Sequence, residues 1–321
     1  MSDNFMQAAV LNGPGKFEIV QQEKPVPNAN QILVKVDICG ICTSEIDMWL
    51  GKNPSLEYPL FIGHEVAGTI AEIGAEVTEL NVGDPVAVWS DGKGYAEYLV
   101  SDPVFAYKLM PDTVLIQALG EPIACSVNGV RKLSPKFNDN VAIVGCGFMG
   151  LIMLQLFKIR GVGDVIAIDL REDILKLAHD LGADHIINPT NNDVVTFVKE
   201  LTGGKGVDIG VEAGGSQATL DLTTQLVRME GKLEVFGYHQ GSHRKVDWGF
   251  WNWMAFQIVN GHTRSPEIYI EGMKIGLELL ERKKLNMAQL VTHNVPISEI
   301  NDGFKLASEK PVGFVKSVVT F

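Results

Sequence analysis

A chain of 321 residues is longer than one hydrophobic core usually organises, so two domains with separate cores are expected. Hydrophobic residues at 46% and charged residues at 21% describe an ordinary globular protein and exclude wholesale disorder. With 27 basic against 39 acidic residues the net charge is −12, which repels phosphate backbones and anionic lipid heads and argues against nucleic-acid or membrane-surface partners.

From the N-terminus, residues 1–7 are polar and lack the basic flank and apolar core of a signal peptide. No apolar run is long enough to cross a bilayer. Four cysteines are too few for a disulfide framework, so a reducing, cytoplasmic setting is expected, with each cysteine a core filler, a metal ligand or a nucleophile.

The first hundred residues read as β-rich. Residues 31–36 alternate, with Ile32, Val34 and Val36 on one face and Lys35 on the other. Residues 66–73 and 85–89 are further short apolar runs, punctuated by Gly63, Gly68, Gly74 and Gly83. This spacing predicts a compact barrel or sandwich.

Within that region Cys39-Gly40-Ile41-Cys42 admits half a zinc ribbon or a redox pair, but no second such motif completes a ribbon, and no βαβ pattern adjoins it. Gly63-His64-Glu65-Val66-Ala67-Gly68 opens an apolar run with two ionisable residues. Taken alone, His64-Glu65 is an ordinary surface pair; buried, it needs a cation or partners. Cysteine, histidine and carboxylate are ligand types for a borderline-soft ion such as zinc.

The character changes near Pro122. Short continuous apolar runs at 141–144, 165–168, 185–187, 207–211 and 232–236 alternate with helical patterns, as strands of a parallel sheet covered on both faces do. A helix over 172–181 stripes Ile174, Leu177, Ala178 and Leu181, and Gly182 stops it. Residues 151–159 are apolar nearly all round. The result is a doubly wound α/β domain.

Gly145-Cys146-Gly147-Phe148-Met149-Gly150 is a GxGxxG between the run at 141–144 and a helix. Gly145 permits the tight turn, Gly147 lets the backbone approach a pyrophosphate, and Gly150 allows close helix–strand packing. Asp169 ends the next strand, where a carboxylate accepts ribose hydroxyls and repels a 2′-phosphate, favouring NAD; Arg171 softens that preference. After Gly261 the βα rhythm stops. Ser265-Pro266 opens an amphipathic helix with Ile270, Met273, Leu277 and Leu280 inward, and a β-prone tail covers 314–321.

The Cys39 to Glu45 segment, Gly63-His64-Glu65, Val82-Gly83-Asp84-Pro85-Val86 and the GxGxxG, in this order, resemble the zinc-dependent medium-chain alcohol dehydrogenases across essentially the whole chain. Glu121-Pro122 resembles their sorbitol and threonine dehydrogenase branch. The resemblance implies a GroES-like catalytic domain over 1–121 and 263–321 and a Rossmann domain over 122–262. It implies Cys42 and His64 as zinc ligands, with Glu65 and Glu121 as directly bound or exchanging carboxylates. Cys39 matches a position that does not bind zinc, so core packing is expected there, as for Cys125 and Cys146. Ser44 matches the hydroxyl that takes up the substrate proton. Gly145, Gly147, Phe148, Met149, Gly150, Asp169 and Arg171 would form the NAD site, with Phe236 and Gly237 in a segment, 235–238, that lines the nicotinamide.

Three departures stand out. Glu45 replaces the aspartate usual after that serine, which re-spaces the support of the metal. Asp47 replaces a relay histidine, so either Asp47 relays protons or water does. Only Trp89-Ser90-Asp91-Gly92-Lys93-Gly94 stands where a structural-zinc lobe would fall, so one catalytic zinc and no structural zinc is expected. The implied activity is hydride transfer between a secondary alcohol or its ketone and NAD, with zinc as Lewis acid. The branch and the cluster Trp248, Phe250, Trp251, Trp253 and Phe256 suggest a polyol, cyclitol or sugar, if that cluster lines the cleft rather than packing as core or subunit contact. A homodimer or homotetramer is implied. The rival readings are a zinc-free quinone or enone reductase and a dinucleotide sensor without turnover.

Overall fold

The computed structural model describes residues 4–239 and 243–321; residues 1–3 of the polar N-terminus and 240–242 lie outside the described residues. By its internal contacts the chain divides into two compact units: Met1–Ala124 with Met273–Lys283 and Met287–Phe321, and Cys125–Gly272 with Lys284–Asn286.

In the first unit β1 (Phe5–Gly13) and β2 (Lys16–Glu23) pair antiparallel. The long strand β3 (Ile32–Gly40) follows, with Ile32, Val34 and Val36 buried as the alternation requires and Lys35 exposed. A short helix α1 (Thr43–Trp49) starts directly behind Cys42. Then come β4 (Glu65–Ile73), β5 (Pro85–Trp89), β6 (Tyr98–Ser101) and β7 (Ala106–Lys108). β3 and β4 are antiparallel in a register that sets Gly40 opposite Glu65.

The helix α2 (Gly120–Leu133) carries Glu121 in its first turn, on the first unit's side of the division. The second unit alternates strand and helix: β8 (Val141–Val144), α3 (Phe148–Arg160), β9 (Val165–Ile168), α4 (Glu172–Asp180), β10 (His185–Ile187), α5 (Val194–Leu201), β11 (Val207–Glu212), α6 (Gln217–Leu226), β12 (Val227–Val235), α7 (Trp248–Met254) and β13 (Gln257–Asn260). Every residue of β8 and β9 is buried, as strands covered on both faces must be. The six strands run parallel in the order β10-β9-β8-β11-β12-β13. Strand β12 begins at Val227, five residues before the apolar run that marks it. Its start, Arg228-Met229-Glu230, is half-buried to exposed and turns through a positive φ of 57° at Glu230, so apolar continuity does not reveal it.

The amphipathic helix α8 (Pro266–Glu281) buries Met273, Leu277 and Leu280. Residues 263–272, grouped by sequence with the first unit, pack with the second: the Asn128 amide donates to the Ile268 carbonyl at 3.1 Å, and Cys125 Sγ meets the Tyr269 hydroxyl at 2.9 Å. The chain ends with β14 (His293–Pro296), α9 (Ile300–Glu309) and β15 (Ser317–Thr320). β15 pairs antiparallel with β3, Val318 opposite Gly40, and completes a sheet ordered β14-β15-β3-β4-β5-β7 with β6 on β3. The tail therefore arrives beside Cys42 and Glu65. Each unit has its own core, one around Tyr95, Phe17 and Phe304, the other around Ile166, Leu233 and Trp251.

Candidate active site

Cys42, His64 and Glu65 offer ligand atoms that all lie within 4.8 Å of one another, a group of metal-ligating type found among the described residues. Strand ends create it. Cys42 leaves β3 as the N-cap of α1, and His64-Glu65 enters β4, the antiparallel neighbour. Gly40 makes the room, since a Cβ there would sit 2.0 Å from Glu65 Oε2. The glycine inside the CxxC therefore belongs to the same device as the glutamate 25 residues on.

Behind His64 stands Glu45, fully buried in the first turn of α1. Its Oε1 lies 2.8 Å from His64 Nδ1 and accepts the Gly63 N–H at 2.7 Å. Its Oε2 accepts the Tyr95 hydroxyl at 2.6 Å and the Cys42 N–H at 3.3 Å. Burial opposes ionisation of Glu45, but His64, Tyr95 and the Gly63 amide outweigh it and hold the carboxyl below the usual range. Burial likewise opposes a charge on His64, yet Glu45 and the Cys42 sulfur raise its pKa well above the ordinary histidine value. With Nδ1 engaged by Glu45, Nε2 is the ring nitrogen left for a cation, the carboxylate–histidine arrangement of metal centres.

Glu65 is held from the far end of the chain. Lys316, buried just before β15, donates to Glu65 Oε1 at 2.8 Å, and its Nζ is 2.6 Å from Oε2. Burial would strip Lys316 of its charge, but Glu65 and Cys42 keep it protonated. Despite that charge nearby, Oε2 has no aligned donor and is buried. An orphaned carboxylate oxygen beside a thiol and an imidazole fits a zinc ion in both charge and ligand type. Glu121 lies outside the three-residue group but close enough to act electrostatically on both Glu65 and Lys316.

Ser44 sits next to this corner, its hydroxyl donating to Cys42 Sγ at 3.3 Å. A cavity of about 270 Å³ opens there, walled by Ser44, Met48, Phe61, His64, Trp89 and Asp91 among others. Asp47, one turn along α1, is paired with Lys52 at 2.6 Å. Cys39 is fully buried outside the ligand group, and burial with the nearby Glu45 and Glu65 charges pushes its thiol up, away from reactivity. Cys146 is buried too, and burial raises its thiol. Nothing local in the sequence marks Tyr95 or Lys316.

In the second unit the strand order turns outward on either side of β8 and β11, the kind of switch point where open α/β sheets bind ligands beyond their strand ends. Gly145 lies there at φ +97°, where a Cβ would come within 2.6 Å of Gly214 N. Gly147 is exposed with open space around it, Phe148 and Gly150 are buried, and Met149 is half-buried. Asp169 accepts the Cys146 N–H at 2.8 Å and the Arg171 N–H at 3.0 Å. Glu212, the buried last residue of β11, meets His239 Nε2 at 2.6 Å and accepts from Gly215 N and Thr219 Oγ1 at 2.7 and 2.6 Å. Its carbonyl accepts from Phe236 and Gly237. The Phe236 ring is turned inward and stacks on His262, so backbone rather than side chain is what 236–237 can offer a cofactor. Trp251 belongs to the core of this unit, whereas Trp248 and Trp253 are 67% and 76% exposed.

Residues 28–111 match the family described as the alcohol dehydrogenase GroES-like domain, and residues 149–259 match that described as zinc-binding dehydrogenase. An erythritol/L-threitol dehydrogenase of Mycolicibacterium smegmatis is 28% identical, covering 94% of this chain and 94% of its own. A sorbitol dehydrogenase of Bacillus subtilis is 29% identical, covering 94% and 93%. The crystal structure of 2R,3R-butanediol dehydrogenase from Bacillus subtilis superposes with a TM-score of 0.87 at 25% identity, over 98% of this chain and 99% of that one.

Proposed function

The chain belongs to the zinc-type medium-chain alcohol dehydrogenase family, and from that membership we propose that it transfers hydride between a secondary alcohol of a polyol, cyclitol or sugar-like substrate and NAD. The observation that carries this reading is the convergence of Cys42, His64 and Glu65, with His64 reaching the wall of a cavity that Ser44 also lines. Vicinal hydroxyls suit this cavity, where Ser44 and Asp91 offer hydrogen-bond partners and Trp89 and Phe61 offer apolar faces. The relatives named for erythritol, sorbitol and butanediol point the same way.

Cys42, His64 and Glu65 would hold one zinc ion, with Glu121 as an exchanging carboxylate and no second, structural ion. When bound, the ion supplies Lewis acidity toward the alcohol oxygen. Glu45 and Tyr95 fix the His64 ring, and Lys316 fixes Glu65, so the ligand atoms are pre-set. Ser44 takes up the alcohol proton at Oγ. Because Asp47 is engaged by Lys52, Ser44 passes that proton to water. The glycine loop from Gly145 to Gly150 receives the dinucleotide pyrophosphate at the start of α3, and Asp169 receives ribose hydroxyls. Both groups act by position and hydrogen bonding.

The same reading includes a homodimer or homotetramer, supported by the exposed Trp248 and Trp253 of α7; light scattering would then give a mass above that of one chain. Among the described residues no helix is long and apolar enough to cross a membrane. The deciding experiment combines zinc analysis with a polyol deuterated at the carbinol carbon. About one zinc per chain, lost in Cys42→Ala, and deuterium recovered in reduced NAD are the expected results. Zinc-free protein that reduces enones would favour the reductase reading, and NAD binding without transfer across a broad alcohol panel would favour a sensor.

A further inference from the structure

Asp169, Arg171 and Asp173 form a second charged group at the C-terminal end of β9, outside the metal corner. Asp169 uses both carboxylate oxygens on backbone N–H groups, one from the glycine loop at Cys146 and one from Arg171. Arg171 is the N-cap of α4, two residues beyond Asp169. A guanidinium at this place is the natural partner for a ribose 2′-phosphate, whose oxygens match its planar fork. The Nε–Nη2 edge of that fork is already taken. Arg171 Nη2 meets Asp173 Oδ2 at 2.5 Å and Nε donates to Oδ1 at 3.3 Å, in a pair whose side chains are each 26% exposed. The neighbouring acid, Glu172, is turned the other way and accepts from Asn188 at 2.6 Å.

We propose that Asp173 is a specificity-determining residue for NAD over NADP, acting through Arg171. The assignment rests on the dinucleotide reading of the second unit. To offer its Nε–Nη2 edge to a 2′-phosphate, Arg171 must leave a two-point ion pair, and the phosphate then meets two carboxylates, Asp169 and the stranded Asp173. NAD makes no such demand, because its ribose hydroxyls need only acceptors. Asp173 in the first turn of α4 also suits the helix dipole, so the charge that locks Arg171 is held there by the helix itself.

Direct titration of NADH and NADPH, followed by energy transfer from protein tryptophan without any substrate, tests this on the zinc-loaded protein. The wild type binds NADH in preference to NADPH. Asp173→Asn, and Asp173→Ser as a second variant that also keeps a side chain suited to a helix start, should tighten NADPH by about tenfold while leaving NADH nearly unchanged. Adding Arg171→Ala to either variant should abolish the gain. A gain that survives the double substitution overturns the role of Arg171, and unchanged NADPH affinity with NADH binding intact overturns the proposal alone. Wild-type protein that binds neither nucleotide would bring down the dinucleotide reading itself and this inference with it.

Discussion

Tyr95 donates a 2.6 Å hydrogen bond to Glu45, and both residues are almost wholly removed from solvent. The bond spends one carboxylate oxygen so that the other is aimed at His64. The Cys42 N–H donates to the same oxygen at 3.3 Å, so Tyr95 and the helix start together fix the carboxylate. Replacing Glu45 by Gln should weaken zinc binding by about 10–100-fold, the usual scale for partners of metal-ligating histidines. Tyr95→Phe should weaken it less. Chelator competition measures both, and wild-type affinity in Glu45→Gln would remove Glu45 from the support of the metal.

The metal-free protein should show the elevated proton affinity of His64. Its folded pKa lies well above the ordinary value, despite burial, because of Glu45 and Cys42. The stabilisation this gives the metal-free fold is complete below the unfolded pKa of histidine and is lost as pH rises through the folded one. Zinc must displace that proton, so zinc uptake should release protons and zinc affinity should climb with pH across the neutral range. A pH-indicator titration in weak buffer reads the release directly; uptake with no proton released would contradict the assignment.

Glu234 on β12 is buried with neither carboxylate oxygen hydrogen-bonded. Burial pushes its carboxyl up to about 8, with Lys132 offsetting only part. A raised carboxyl pKa means the folded state binds more protons than the unfolded one between roughly 4.5 and 8, so stability falls as pH rises through that window. The slope contributed by one such group approaches about 1.4 kcal/mol per pH unit. Glu234→Gln should flatten that slope and raise the denaturation midpoint at pH 8 more than at pH 5. Parallel midpoints for wild type and variant at the two pH values would show that Glu234 does not titrate there.

Gly145 and Gly147 should separate folding from binding. Gly145 has φ +97° and Gly214 N 2.6 Å from where a Cβ would stand, so Gly145→Ala should cost about 1–3 kcal/mol of stability. Gly147 has nothing within 4 Å of that position, so Gly147→Ala should fold with wild-type stability. It should nonetheless weaken NADH by about tenfold or more, because the added methyl enters the space of the pyrophosphate. Undiminished NADH binding in Gly147→Ala would place the nucleotide elsewhere.

The sequence by itself determined the two cores, the parallel sheet and the glycine loop. These depend on local periodicity: alternation in β3, continuous apolar runs at β8 and β9, and the strand–glycine–helix succession at Gly145. It also brought Cys42, His64 and Glu65 forward, through their ligand chemistry and the order of motifs shared with the family, since each taken alone reads as an ordinary residue. The tertiary structure alone decided what supports them. Lys316 reaches Glu65 from 251 positions away only because β15 pairs with β3, and Tyr95 reaches Glu45 from 50 positions away because the turn after β5 folds back over Gly63. Whether Arg171 is open to a phosphate was likewise undecided in sequence, where Glu172 and Asp173 are equally near. A side-chain direction, set by Asn188 drawing Glu172 aside, made Asp173 the partner. Periodicity encodes which face a residue takes, whereas pairing between distant or competing side chains depends on a register that only the folded chain fixes.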